Sequence, residues 1–393
     1  MYIFAINAGS SSLKFQLLQM PEERVIASGV LERIGLTEGV LTFKYGDQKH
    51  TEEMDIPDHI TAVDLTLDRL VALGIVENFE AIKGVGHRVV HGGEAFTDSA
   101  VITPEVKAGI LAVSDLAPLH NPANLIGIEA FEKALPGVLQ VAVFDTAFHQ
   151  TMQPEAYMYA TPYAWYEKYG VRKYGFHGSS HKYVSQRVSQ LMQRPLEDLK
   201  MVVCHIGNGA SLCAVAQGQS VDTSMGLTPL AGIAMGTRSG DIDPAIIAFI
   251  AQKEGKSLDV VLDELNKKSG YLGLSEVSSD SRDLWAAANE GHEKAKLAIV
   301  KQAKMIADYI GAYAVNMGGL DAIVFTAGVG ENAPETRAMI IERLSFLGAT
   351  IDAQNNQVRG QEKVISTPDA RVQVWVVPTN EEVMIARDTM RFI

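Results

Sequence analysis

The stretch Tyr2-Ile3-Phe4-Ala5-Ile6-Asn7-Ala8-Gly9-Ser10-Ser11-Ser12-Leu13-Lys14 opens with an apolar run and breaks into small polar residues. The run reads as a buried strand. The turn after it permits close backbone approach and carries three hydroxyls and an ammonium, the inventory that receives phosphate oxygens. A second stretch has the same layout. Val202-Val203-Cys204-His205-Ile206 runs into Gly207-Asn208-Gly209-Ala210-Ser211-Leu212 and then Cys213-Ala214-Val215. The two lie about half the chain apart, so one α/β unit, duplicated, is expected, with a boundary near residues 146–155.

The chain has 393 residues, too many for one ordinary core, and 47% are apolar. Net charge is −13, which argues against a general nucleic-acid footprint. An anionic substrate would need locally concentrated cations. Cys204 and Cys213 lack zinc-site spacing and point to a reducing compartment rather than a disulfide. No signal-sequence pattern opens the chain, and no apolar run approaches the roughly 18–20 residues that span a bilayer. A cytoplasmic protein with no membrane partner is expected.

Strand and helix patterns alternate, which indicates an α/β fold with mixed sheets. Strands are expected at Tyr2–Ile6, Phe15–Leu18, Val25–Ser28, Ala81–Val85, Leu139–Phe144, Met201–Ile206, Ser211–Val215, Ala322–Thr326 and Val372–Val377. Helical periodicity marks Thr61–Leu73, His181–Met192, Pro244–Glu254 and Lys294–Met317, and residues Asn380–Ile393 read as a helix returning to the first half.

Several polar, glycine-rich turns follow expected strands. They are His205-Ile206-Gly207-Asn208-Gly209, the run Gly226–Gly240 with Met235-Gly236-Thr237-Arg238-Ser239-Gly240-Asp241, and Gly328-Val329-Gly330-Glu331-Asn332. Pro378-Thr379-Asn380-Glu381-Glu382 puts two carboxylates at a strand end. Any one of them could simply satisfy backbone geometry. Together they favour a nucleotide cleft at strand C-terminal ends. Asn332 and Glu335 also read as an N-cap and N3 pair for a helix starting near Pro334. Gly255-Lys256-Ser257 is not a phosphate loop, because Ile250 stands where the leading glycine belongs.

The cations cluster in motifs. Gly86-His87-Arg88-Val89-Val90-His91-Gly92-Gly93 sets an arginine and two histidines among glycines. His120 lies in Pro118-Leu119-His120-Asn121-Pro122, and His177 in Tyr174-Gly175-Phe176-His177-Gly178-Ser179-Ser180-His181. Phosphoryl transfer is catalysed chiefly by positioning and fixed positive charge. Arginine suits it because its planar fork holds two oxygens and stays charged. Asp145, in Phe144-Asp145-Thr146-Ala147-Phe148-His149, serves either the site or a helix N-terminus.

These motifs, with Gly-Thr-Arg-Ser-Gly-Asp at 236–241 and Thr-Asn-Glu-Glu at 379–382, resemble the acetate kinase (acetokinase) family over essentially the whole chain. The resemblance implies two ribonuclease H-like (actin-like ATPase) domains with mixed sheets flanking a central nucleotide cleft. Residues 1–149 plus 383–393 would form the first, and 150–382 the second, which would bind nucleotide and dimerise. It implies reversible, Mg2+-dependent phosphoryl transfer between ATP and acetate, giving ADP and acetyl phosphate, with Mn2+ able to stand in, by a cytoplasmic homodimer.

By matching motif, the resemblance makes Arg88, Asp145, His177 and Arg238 catalytic. Arg88, Val90, Leu119, His120, Phe176 and Pro229 would bind the acid and its phosphate. Asn7 and Glu381 would organise the metal. Ser10, Ser12 and Lys14 would serve the phosphate turn. The nucleotide would meet His205, Gly207, Asn208, Gly209, Asp280, Ser281, Arg282, Gly328, Val329, Gly330, Glu331 and Asn332. Val90 favours acetate, since propionate-preferring relatives tend to carry a smaller residue there. The alternatives are a kinase for propionate or another short-chain acid, and an ATP-gated binding module without an acid substrate.

Overall fold

Phe4, Phe15, Phe43 and Phe131 meet edge-on or tilted in the middle of the first half, with ring centroids 5.3–6.1 Å apart. They belong to a computed structural model that describes Met1–Ile393. The chain divides into two compact units, Met1–Gln150 with Asn380–Ile393, and Thr151–Thr379.

The first unit is built on a sheet of eight strands. They are β1 (Tyr2–Gly9), β2 (Ser12–Gln19), β3 (Arg24–Glu32), β4 (Gly39–Tyr45), β5 (Gln48–Met54), β6 (Ile82–Val89), β7 (Ala100–Val101) and β8 (Leu139–Phe144). Their order is β5-β4-β3-β2-β1-β6-β8-β7. β1 is buried on both faces, as its unbroken apolar run requires. The helix Glu381–Met390 lies against β6, where glycines make room. A Cβ at Gly86 would stand 2.2 Å from Thr389 Oγ1, and one at Gly84 2.8 Å from Thr389 Cγ2.

The second unit has six strands, β9 (Lys200–Ile206), β10 (Ala210–Ala216), β11 (Gln219–Thr223), β12 (Ala322–Thr326), β13 (Lys363–Val364) and β14 (Gln373–Val376). Their order is β11-β10-β9-β12-β14-β13. The run β3-β2-β1-β6-β8 in the first unit and β11-β10-β9-β12-β14 here are the same topology. In each, a hairpin is followed by parallel strands added on the far side of its first member. The echo in the sequence is therefore an echo in topology. The helix Glu293–Asn316 is the longest element, and no helix is long and apolar enough to cross a membrane.

The phosphate turn read from residues 7–12 is tighter than expected. β1 continues through Asn7 and Ala8, and Gly9 pairs with Ser12, so only Ser10 and Ser11 turn. Cys204 and Cys213 are buried free thiols. They sit on adjacent strands, but Cys204 pairs with Leu212 and Cys213 with Val203, so strand alternation sends them to opposite faces.

Candidate functional site

In the first unit, parallel pairing of Ile6 with His87 brings Asn7 beside Arg88, and antiparallel pairing sets Lys14 across from Asn7. Arg88 is the penultimate residue of β6 and Asp145 follows β8. The guanidinium grips the carboxylate with both prongs, Nε to Oδ1 at 3.0 Å and Nη2 to Oδ2 at 2.5 Å. Asp145 is 1% exposed, and its own N–H donates to Val89 O. It is therefore the holder of Arg88 and caps no helix. Glu381, the first residue of its helix, comes within 3.9 Å of Arg88 Nε, and Glu382 pairs with Lys14 at 2.5 Å. Burial opposes the charge on Arg88, but Asp145 and Glu381 outweigh it and raise its pKa.

The recess is lined by Asn7, Lys14, Arg88, Glu381 and Glu382. Burial, followed by repulsion from Asp145 and Glu382, raises the Glu381 pKa despite the pull of Arg88 and Lys14. Three carboxylates, Asp145, Glu381 and Glu382, meet two cations, Arg88 and Lys14, so a bound cation would relieve the excess. The donor set, amide and carboxylate oxygen, suits a hard ion such as Mg2+. No cluster of three or more His, Cys, Asp or Glu stands ready to cage a metal.

The two histidines flanking Arg88 do not join it. Strand alternation turns His87 to the opposite face, where it bonds Gln140 Oε1 at 2.7 Å and meets the Phe131 ring. His91 is buried and accepts from Gly93 N at 3.0 Å. Burial pushes both pKa values down to about 4. For His87, the unfolded chain binds a proton between pH 6.5 and about 4 that the folded chain refuses. Its stabilising effect is complete above 6.5 and is lost as pH falls. His87→Gln should remove this dependence. In urea unfolding, wild type should lose about 2 kcal/mol more than the variant on going from pH 7 to 4.5. Equal losses would refute the assignment.

Of the remaining candidates in this unit, Val90 is buried, Leu119 is 73% exposed, and His120 precedes the helix Asn121–Ala134. Ser10 is exposed at the hairpin tip and Ser12 is half-buried.

In the second unit, His177 precedes the helix Gly178–Met192 with φ +56°, a left-handed conformation unfavourable for a residue with a side chain. Its ring is fixed on two sides. Nδ1 is hydrogen-bonded with Ser211 Oγ at 2.8 Å, and the ring stacks on His205 at 4.1 Å. Ser211 Oγ is shared with His181 Nε2 at 2.8 Å, while His205 Nδ1 is bonded with Ser180 Oγ at 2.8 Å. Phe176, just before, is buried.

Arg238 sits in the long loop after β11. Its Nη1 donates to Pro229 O at 3.4 Å and touches Met235 Sδ at 3.8 Å, and no carboxylate pairs with it. Burial holds its pKa below the usual guanidinium value. A Cβ on Gly209 would stand 3.5 Å from Arg238 Nη1 and 3.8 Å from His177 Nε2. Glycine there keeps open a space that both side chains border.

A cavity of about 640 Å³ opens beside this loop, within the size range of small-molecule sites. Gly207, Asn208, Asp280, Ser281, Arg282, Gly328, Val329 and Asn332 line it. His205, Gly209, Gly330 and Glu331 are not in its wall. Gly330 O accepts from Arg337, and Glu331 Oε1 accepts from Ala327 N at 2.7 Å and Thr379 N at 3.2 Å, which ties the turn together. Tyr271, Ser279, Ala333 and Arg359 also line the cavity, and nothing in their sequence context marks them. The expected Asn332–Glu335 capping pair does not form. A short helix, Ala327–Asn332, starts directly after β12, so Asn332 ends that helix and donates to Gly328 O at 2.9 Å. The next helix, Pro334–Glu342, has Ala333 before it and no side-chain cap.

Residues 2–387 match the model of the Acetokinase family. The chain is 59% identical over 389 residues to the acetate kinase of Shouchella clausii, covering 99% of this chain and 98% of that one. The crystal structure of Porphyromonas gingivalis acetate kinase superposes with a TM-score of 0.96 at 47% identity, over 99% of each chain. A propionate kinase from Francisella tularensis superposes with a TM-score of 0.93 at 40% identity, over 100% of each chain.

Proposed function

Because the chain belongs to the acetokinase family and is thereby a phosphotransferase with a carboxyl group as acceptor, we propose that it moves the γ-phosphoryl group of ATP reversibly onto acetate. The products are ADP and acetyl phosphate. The observation that carries this reading is Arg238, a half-buried guanidinium without an acid partner, bordering one open space with His177. A cation left in that state is poised for an anion.

An acetate oxygen attacks the γ-phosphorus in line, the bond from phosphorus to the bridging β–γ oxygen breaks, and ADP leaves with the electron pair. Acetate is already an anion at neutral pH, so no general base is required and no proton moves. The obstacle is repulsion between two anions. Arg88, held rigid by Asp145, orients the acid. His177, its Nδ1 engaged by Ser211, presents the rest of its ring to the equatorial oxygens, and Arg238 holds charge on the same group. The cavity lined by Asn208, Asp280 and Gly328 receives the adenosine. Asn7 and Glu381 would hold Mg2+ through water. The ion would neutralise phosphate charge as it builds on the departing nucleotide.

Val90 walls the acyl end. One methylene changes binding by about 1–3 kcal/mol, so propionate should react with kcat/KM roughly ten-fold or more below acetate. We place the reaction in the cytoplasm, where free thiols such as Cys204 and Cys213 persist, and propose a homodimer on the family resemblance. The test is acetohydroxamate formation from acetate, ATP, Mg2+ and hydroxylamine. Acetate-dependent hydroxamate is the expected result. ATP turnover that proceeds equally without any carboxylic acid would instead favour an ATP-gated module.

A further inference from the structure

Beyond β6 the chain runs through Val90 and His91, whose buried backbone groups find no strand partner. Two side-chain amides on one helix supply the bonds instead. Asn124 Oδ1 accepts from Val90 N at 3.1 Å, Asn121 Oδ1 accepts from His91 N at 3.1 Å, and Asn121 Nδ2 donates to His91 O at 2.9 Å. The other contacts of the two amides differ. Asn121 Nδ2 also reaches Ile110 O at 3.2 Å. Asn124 Nδ2 donates to Ala8 O at 2.8 Å, the residue after Asn7 on β1. Gly127 lets the helix come that close, since a Cβ there would stand 2.5 Å from Ala8 Cβ. Asn124 is 2% exposed and both ends of its amide are used.

We propose that Asn124 is a specificity-positioning residue: it sets the position of Val90 against the acyl group and ties that position to the strand carrying Asn7. This rests on the reading of Val90 as the acyl wall. A wall excludes an extra methylene only as firmly as its backbone is held. With the Asn124 amide in place, retreat of Val90 would leave a buried N–H without an acceptor, which the interior resists. With the amide gone, Val90 can yield and admit the longer acid.

The experiment measures kcat/KM for acetate and propionate at saturating ATP in wild type, Val90→Ala, Asn124→Leu and Asn121→Ala. Asn124→Leu keeps the branched shape and removes both bonds. If it fails to give soluble enzyme, Asn124→Ala and Asn124→Ser are read in its place. The acetate-to-propionate ratio should fall about three-fold or more in Asn124→Leu. Asn121→Ala should lower both acids together, because its amide holds His91 and not Val90. If the Asn124 variants slow both acids by the same factor while Val90→Ala shifts the ratio, the amide is only structural and the inference is overturned. If Val90→Ala leaves the ratio unchanged, the acyl-wall reading falls and takes the inference with it.

Discussion

Arg238→Ala should lower turnover by about a thousand-fold or more, with the fold intact. Charge-stabilising arginines in phosphoryl transfer contribute on that scale, and oxyanion donors in general about a hundred- to a thousand-fold. The variant should fold because Arg238 gives little to the ground state. Its contacts are a long bond to Pro229 O and an approach to Met235 Sδ, and burial already works against its charge. Arg238→Lys should not rescue, since a single ammonium cannot hold two oxygens as a guanidinium does. Steady-state rates and a thermal melt on the same preparations check both halves. Turnover within ten-fold of wild type would remove Arg238 from its role.

Asp145→Ala should damage activity and stability together. The carboxylate is buried and takes both prongs of Arg88. Removing one partner of such a pair typically costs about 3–5 kcal/mol when both are fully buried. Arg88 keeps partial exposure and a distant neighbour in Glu381, so the lower end or somewhat less is expected. The larger effect should be kinetic. A guanidinium freed from its two-point grip samples orientations that do not meet the acid, and misplacement of about 1 Å can cost a hundred-fold. Urea unfolding reads the first effect, and kcat/KM for acetate the second. Unchanged acetate kinetics would show that Arg88 needs no holder.

The two predictions draw on different layers of information. Arg88 and Arg238 stand out in the sequence because glycines surround them. That one is paired and the other is not is a property of three-dimensional neighbours, and nothing near residue 238 in the chain reveals it. The hairpin duplication was legible because β1 and β9 are buried on both faces and so carry apolar runs, at residues 2–6 and 201–204. β4 was harder to see because its alternation is short, and β5 because it is a polar edge strand whose residues face solvent. His87 could have been sorted from Arg88 by strand alternation alone, once β6 was extended to Val89. Asn332 misled because a polar residue before Pro334 looks like a cap. The preceding strand had already turned into a helix and claimed it for another bond. Asn124 gave no signal at all. A buried amide that serves backbone groups distant in sequence has no local signature.

Glu381 and the helix that starts with it belong to a unit whose other residues come from the opposite end of the chain. During translation, residues 151–379 can close their own sheet while the first sheet still lacks the helix that covers Gly84 and Gly86. A nascent polypeptide halted before residue 380 would therefore expose an apolar sheet face and carry no Glu381. Such a fragment should be a chaperone client and not a weak enzyme. The first unit is thus completed only after the second has been synthesised.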